Sequence, residues 1–114
     1  MDALEMTLLY DYYGDLLTDR QKMCFDLRHN QDLSLAEIAQ ELQVSRQGVH
    51  DNLSRAEALL VNMEEKTGCV RRDMLCRKAA KTITSAAQTL ARSDDKTVFN
   101  LAQQILTAVQ RLEE

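Results

Sequence analysis

An arginine, a glutamine and a histidine stand close together near the middle of the chain. Gln47 has the donor and acceptor pair that matches the edge of adenine, Arg46 matches guanine, and His50 adds a further donor. Such residues contact base edges when they open the second helix of a helix-turn-helix. Two nearby carboxylates, Asp51 and Glu57, oppose this use because they repel a phosphate backbone. The chemistry indicated is nucleic-acid recognition, weakened by acidic neighbours.

A second group of charged residues follows that segment. Residues 67–92 contain six lysines and arginines against one aspartate, whereas the whole chain of 114 residues has a net charge of -4. At helical spacing Arg71, Lys78 and Lys81 fall along one side. Two interpretations stay open: a solvated face paired with acidic residues of neighbouring helices, or a contact with a nucleic-acid backbone, RNA included. The basic residues are Arg71, Arg72, Arg77, Lys78 and Lys81.

The three cysteines give little support for disulfides or a metal centre. Cys24, Cys69 and Cys76 are an odd number and include no Cys-x-x-Cys pair, which favours packed thiols in a reducing compartment. A zinc site would need His29 or His50 beside the last two cysteines, whose separation matches no usual zinc motif. We therefore expect no metal site and no cofactor.

Catalytic arrangements are not visible in the sequence either. It has no phosphate-binding glycine loop and no locally supported Ser-His-Asp or Cys-His arrangement. The paired carboxylates are adjacent in the chain, which sends the two members of each pair to different sides of a helix. We therefore expect a binding protein and not an enzyme. The pairs are Glu64–Glu65, Asp94–Asp95 and Glu113–Glu114.

Helices must position all of these residues, because the sequence gives strands almost no support. It has no proline and only three glycines, so long helices are unobstructed. Thr18 with Gln21, and Ser34 with Glu37, have the spacing of capping boxes, and Ser45 is a third N-cap candidate. The sequence predicts an all-α protein of about six helices, near residues 1–12, 19–29, 35–42, 46–66, 70–91 and 94–112, with Ser93 capping the last.

Residues 34–60 have the pattern of a helix-turn-helix. Ala39 is small where the second helix crosses tightly against the first, and Val44 and Val49 fill the angle between them. One departure is Gln43, where many such turns have glycine. The remaining core positions of the predicted motif are Leu35, Ile38 and Leu42.

The second half of the chain has heptad-like apolar spacing. Such stripes pack against partner helices at shallow angles, either within the chain or in a second copy, and spacing does not decide between them. We expect a helix-turn-helix domain over residues 1–66 and a C-terminal helical pair, residues 67–114, packing on the long fourth helix. The stripes are Val49, Leu53, Ala56, Leu60 and Met63, then Cys76, Ala79, Ile83, Ala86 and Leu90, then Val98, Leu101, Ile105, Val109 and Leu112.

Two resemblances carry these expectations further. The segments 17–23, 33–42 and 53–56, with Val44, Ser45 and Val49, resemble region 4 of bacterial sigma factors. The chain resembles the YlxM family of small bacterial proteins over nearly its full length. This resemblance includes the segment Leu9 to Gly14, which leads into Leu16 to Thr18, and the segment Gln47 to Asp51, which opens the recognition helix. The sigma resemblance implies an exposed recognition-helix face, with Arg55 placed to reach a phosphate. That face comprises Ser45, Arg46, Gln47, His50, Asp51, Ser54 and Arg55.

Two functional hypotheses result. The YlxM resemblance implies a helix-turn-helix protein encoded beside genes of the signal recognition particle pathway and regulating it, without established catalytic residues. The first hypothesis is a DNA-binding regulator. The second is an adaptor that binds the particle's GTPase or RNA and uses the helix-turn-helix as a scaffold. No apolar run is long enough for a membrane span and the start lacks the features of a secretory signal, so we expect a cytoplasmic protein that does not bind membranes, with a homodimer as a further expectation.

Overall fold

The computed structural model describes residues 2–113 and folds them almost entirely into helices. The predicted all-α fold with six helices is confirmed. A 3₁₀ turn, Gly14–Leu16, follows the first helix, and a π-helical turn, Asp26–Asn30, extends the second. The start predicted for the first helix at Met1, and the last residue of the carboxylate pair Glu113–Glu114, lie outside the described residues. The helices are α1 Ala3–Tyr13, α2 Asp19–Phe25, α3 Leu35–Leu42, α4 Arg46–Thr67, α5 Cys69–Leu90 and α6 Lys96–Leu112.

The helix starts follow the capping signals of the sequence with one exception. Thr18 and Ser34 both form complete capping boxes, and Ser45 caps α4. The prediction that Ser93 caps α6 is wrong, because Asp95 takes that position and its Oδ1 accepts from the amide of Thr97 at 2.8 Å. A carboxylate at a helix N-terminus also gains from the helix dipole.

Backbone contacts divide the chain into two compact units, one ending at Val70 and the other beginning at Arg71. In the first unit α4 is the central helix and contacts α1, α2 and α3. The predicted stripe of α4 is confirmed, since four of its members are buried and Met63 is partly buried. Apart from Val70, the side chains fully or nearly buried around that stripe come from α1, α2, α3 and the loop after α1: Met6, Leu9, Tyr13, Leu17, Cys24, Phe25 and Ile38.

Aromatic and polar contacts tie the helices of the first unit together. The rings of Tyr10 and Phe25 stack with centroids 4.5 Å apart, and Phe25 stacks in turn on His29 at 4.1 Å. His29 Nε2 lies 3.1 Å from Glu57 Oε1, which links the π-helical turn to α4. This contact holds the side chain of Glu57 toward the π-helical turn.

The second unit has few buried side chains, and most of them are small. They are spaced seven apart on α5 and seven apart on α6: Ala80, Ala87, Ala102 and Val109. The stripe predicted for α5 is wrong, because Ile83 and Leu90 are 44% and 47% exposed. The buried positions of α5 lie one residue later, at the second alanine of each Ala-Ala pair. No helix within residues 2–113 is both long and apolar enough to cross a membrane.

Candidate nucleic-acid interface

The turn between α3 and α4 has the geometry of a helix-turn-helix. Gln43 ends α3 in the left-handed conformation, with φ 56° and ψ 47°, and so occupies the position where glycine is common. The Val44 amide then donates to the carbonyl of Ala39 at 3.0 Å, which returns the chain toward α3. Ile38 and Val49 are fully buried across this corner, with Ala39 and Val44 packed beside them. The predicted corner residues therefore hold the two helices at a fixed angle.

The rotation of α4 about its axis is set by its buried residues. Val49 and Leu53 face α2 and α3 in the core, and a helix that buries these positions must turn the residues beside them outward. Ser45 Oγ accepts from the Gly48 amide at 2.9 Å and fixes where the helix begins. All seven side chains of the predicted recognition-helix face are exposed as a result: Ser45, Arg46, Gln47, His50, Asp51, Ser54 and Arg55.

Asp51 is the residue that organises this face. Gln47 Nε2 donates to Asp51 Oδ1 at 3.0 Å, and His50 Nδ1 lies 3.7 Å from the same oxygen. Arg46 and Arg55, by contrast, have no ion pair within residues 2–113. The face therefore has at each end a guanidinium group without an ion pair in the described residues, and it has the Asp51 carboxylate between them.

An open cleft of about 390 Å³ lies where α3 and α4 begin. Leu35, Arg46, Gln47 and His50 line it. Leu35 adds an apolar wall to the polar side chains, and a side chain of this kind can contact the methyl group of thymine. The sequence predicts Leu35 only as a core residue of the motif and does not predict that it also lines this cleft, although its location at the start of α3 could have indicated it.

The basic residues of α5 are all exposed, and they belong to the second unit. Arg77 Nη2 lies 3.4 Å from Asp73 Oδ2, one turn earlier on the same helix. Lys78 and Lys81 have no carboxylate within 4 Å in the part of the chain that the structure describes. Arg77 is thus paired within its own helix and not with a neighbouring one, and both interpretations of the basic residues remain predictions.

The cysteines divide between core and surface. The prediction of a packed thiol is correct for Cys24, and burial raises the pKa of this thiol above its usual value. It is wrong for Cys69 and Cys76, which are exposed on α5. No group of three histidine, cysteine or carboxylate residues within residues 2–113 is arranged to hold a metal ion.

Comparisons with known proteins agree with this geometry. The family model UPF0122, described as helix-turn-helix protein, YlxM / p13 like, matches residues 1–99. A UPF0122 protein of Thermoanaerobacter sp. (strain X514) is 39% identical over 97% of this chain and 96% of its own length. A UPF0122 protein of Clostridium novyi is 39% identical over 86% and 85%, and one of Caldanaerobacter subterraneus is 54% identical over 62% and 61%.

Proposed function

Because this chain belongs to the UPF0122 family of YlxM / p13 like helix-turn-helix proteins, we propose that it is a regulatory protein that binds DNA through the exposed face of α4. One observation supports this function above the others. The first three turns of α4 bury Val49, Leu53 and Ala56 and expose the seven residues of the recognition-helix face from Ser45 to Arg55, whereas Asn52 is half-buried. A helix presented in this way can enter the major groove without unfolding any contact of the core.

The residues of this face divide into base-reading and phosphate-binding groups. Arg46 and Gln47, in the first turn, are placed to meet guanine and adenine edges, and His50 follows one turn later. Arg55, nine positions beyond Arg46, lies too far along the helix for the same base step and is assigned to a phosphate. The hydroxyl of Ser54 is exposed beside it and is a further phosphate donor.

A salt-titrated binding measurement tests this function. Fluorescence anisotropy of labelled duplexes of mixed sequence, at low ionic strength, is expected to show binding that weakens linearly in log[salt]. The Arg46→Ala/Gln47→Ala variant is expected to lose about tenfold or more in affinity for the duplex that binds best, because each base contact contributes about 1–3 kcal/mol.

The matched control is Gln110→Ala/Arg111→Ala, which removes the same two residue types from exposed positions in the last turns of α6. It is expected to bind DNA as the unmodified protein does. Absence of salt-dependent binding to any duplex would refute the DNA-binding function, and equal losses in both double variants would refute the assignment to α4.

The finer function that we propose is regulation of the signal recognition particle pathway, which the YlxM resemblance implies. The particle's RNA is a candidate ligand for α5, since Lys78 and Lys81 are exposed and uncommitted. Cations of this kind bind a phosphate backbone irrespective of its sequence. The alternative within the same pathway is an adaptor that binds the particle's GTPase and uses the helix-turn-helix as a scaffold.

Parallel titrations against duplex DNA, the particle's RNA and its GTPase separate these possibilities. The Lys78→Glu/Lys81→Glu variant is expected to lose RNA binding while its helix content by circular dichroism stays the same. A fall in DNA affinity for Arg46→Ala/Gln47→Ala with RNA binding intact would assign the two nucleic acids to two surfaces. Binding to neither the RNA nor the GTPase would exclude a direct role in the pathway.

A further inference from the structure

The second unit exposes an unusual number of large apolar side chains. Leu75, Ile83 and Leu90 of α5 are 60%, 44% and 47% exposed. On α6, Leu101 and Leu112 are 53% and 79% exposed. Ile105, also on α6, is at 37%. Isolated exposed leucines are common on protein surfaces, but these recur at intervals of four, seven or eight residues and so form stripes.

Each exposed stripe has the same offset from the buried positions of its helix. On α5 the exposed Ile83 and Leu90 directly precede Thr84 and Ala91, which are partly buried, and on α6 the exposed Leu101 directly precedes the buried Ala102. The pairs Ala79–Ala80, Ala86–Ala87, Ile105–Leu106 and Ala108–Val109 repeat this order of exposed before more buried. One residue corresponds to a rotation of 100° about the helix axis. Both stripes are therefore turned by about 100° from the buried side, in the same sense.

This offset places the two stripes on one side of the helical pair. Residues 71–114 form one compact unit, and the five residues between Leu90 and Lys96 are a connection of the length that joins neighbouring antiparallel helices. In two antiparallel helices that face each other, the residue before each buried residue is rotated by about 100° from the contact side. Because the helices run in opposite directions, this rotation points both stripes to the same side of the plane that contains the two axes. The result is one continuous apolar surface, here called the α5–α6 face, with Leu75, Ile83 and Leu90 on one helix and Leu101, Ile105 and Leu112 on the other.

We propose that the α5–α6 face binds the same face of a second copy of this chain, so that two helical pairs form an antiparallel four-helix bundle. The face is nearly uncharged: Arg72 shares the rotational position of Leu90 at the N-terminal end of α5, and no carboxylate lies among its stripe positions. Apart from Arg72 it therefore offers no charge to a charged partner, whereas an identical apolar face is complementary to it under a twofold axis.

The dimensions of the face suit a stable dimer. The 17 residues of α6 set its length at about 26 Å, and two neighbouring helices span about 20 Å. The projected area is then about 500 Å², and protruding side chains bring the accessible area toward the roughly 800 Å² per partner of standard interfaces. Monomeric proteins seldom leave an apolar patch of this size in contact with water.

Sedimentation equilibrium of the full chain, without nucleic acid, tests this assembly. The chain of 13.0 kDa is expected to sediment at twice that mass at micromolar concentration. The Ile83→Glu/Ile105→Glu variant is expected to sediment as a monomer, with a dissociation constant raised by about 100-fold or more, because it places carboxylates in the centre of the apolar contact. The matched control is Met74→Glu, which alters an apolar side chain of α5 that is 53% exposed but lies outside the stripe.

Three results would overturn this assignment. They are a wild-type chain that remains monomeric up to about 100-fold above the micromolar range, a double variant that remains dimeric, and a Met74→Glu control that dissociates equally. A double variant that fails to fold does not remove the test, because thermal unfolding of the wild type must then rise with protein concentration if the dimer exists and stay constant if it does not. None of these measurements involves DNA, so they are independent of the function proposed for α4.

Discussion

The side chain of Gln47 donates a hydrogen bond of 3.0 Å to Asp51, one turn further along α4. The same carboxylate lies 3.7 Å from the ring of His50. Two of the three candidate base-reading side chains are therefore engaged by a residue that also repels phosphate. DNA binding by this face would require Gln47 to leave Asp51, so Asp51 weakens the interaction both by charge and by competition.

Asp51→Asn is expected to increase affinity for duplex DNA. An asparagine is nearly isosteric but carries no charge, and one unit charge about 6 Å from a phosphate in water costs about 0.7 kcal/mol, so the expected gain is about threefold at low salt. Anisotropy titrations measure it. Asp11→Asn, which neutralises an exposed carboxylate on α1, is the control and should leave the affinity unchanged. A decrease in affinity for Asp51→Asn would show that the carboxylate orients Gln47 productively.

Gln43→Gly is expected to stabilise the first unit. The residue adopts φ 56°, where a side chain is strained and glycine is not. The greater entropy of glycine in the unfolded chain offsets part of the gain, which leaves about 0.5–1 kcal/mol in the free energy of unfolding. Urea unfolding followed by circular dichroism measures it. Gln40→Gly, in the interior of α3, is the opposite control and should destabilise by about 1 kcal/mol. A destabilised Gln43→Gly variant would contradict the strain argument.

Local signals in the sequence were sufficient for the helices of the first unit and for the exposure of the candidate interface. Thr18, Ser34 and Ser45 mark helix starts by their own hydrogen bonds, so no tertiary information is needed to find them. Val49 and Leu53 fix the rotation of α4, and the exposed positions follow from it. The Gln47–Asp51 bond was visible only as a spacing of four, which permits such a bond without requiring it.

The faces of α5 and α6 could not be predicted in the same way. Ala79–Ala80 and Ala86–Ala87 are pairs of identical residues, so the sequence does not indicate which alanine of each pair is buried. Hydrophobicity then favours burying Ile83 and Leu90, whereas the structure buries the smaller residues Ala80 and Ala87. The tertiary structure, and not the hydrophobicity of single residues, therefore decides which side of α5 is buried.

Tyr13→Phe is expected to destabilise the first unit by about 1–2 kcal/mol. The Tyr13 hydroxyl is 2.7 Å from Glu64 Oε1, to which it donates, and 2.6 Å from Thr67 Oγ1. Phenylalanine fills the same space but removes these bonds between α1 and the end of α4. Urea unfolding measures the loss. Tyr10→Phe is the control, because the stacked ring of Tyr10 remains and its hydroxyl has no hydrogen bond in the described part of the chain.

The same residue predicts how stability changes at alkaline pH. Burial raises the pKa of Tyr13; the hydrogen bond with Thr67 lowers this pKa by a smaller amount, and Glu64 raises it further. Because the pKa of Tyr13 is higher in the folded state than in the unfolded state, its neutral hydroxyl contributes to stability. This stability is fully present below the unfolded-state pKa of about 10 and is lost as the pH rises through the folded-state pKa. Wild-type stability should therefore fall more steeply above this range than that of Tyr13→Phe. Equal slopes for the two proteins would contradict the raised pKa.

Ser34→Ala is expected to raise the pKa of Glu37 only part of the way to its ordinary value. The Ser34 amide donates to Glu37 Oε1 at 3.0 Å and is the main cause of the lowered pKa, and the Ser34 side chain adds to it. Alanine keeps the amide and removes the hydroxyl. Titration of the Glu37 carboxyl by NMR measures the pKa, and Ser54→Ala is the control. Because the pKa of Glu37 is lower in the folded state than in the unfolded state, its carboxylate stabilises the fold at pH values above the unfolded-state pKa. This stabilisation disappears as the pH falls through the folded-state pKa.

Arg55→Ala is expected to weaken DNA binding in a way that distinguishes phosphate contact from base reading. Arg55 is exposed, lies nine residues beyond Arg46 and has no ion pair in the described part of the chain. If it neutralises one phosphate, its loss lowers affinity about equally for all duplexes and reduces the slope of log affinity against log[salt] by about one. Arg46→Ala should instead lower affinity most for duplexes with the preferred guanine. An unchanged salt slope in Arg55→Ala, measured across several duplexes and salt concentrations, would exclude this arginine from the interface and confine DNA contact to the first two turns of α4.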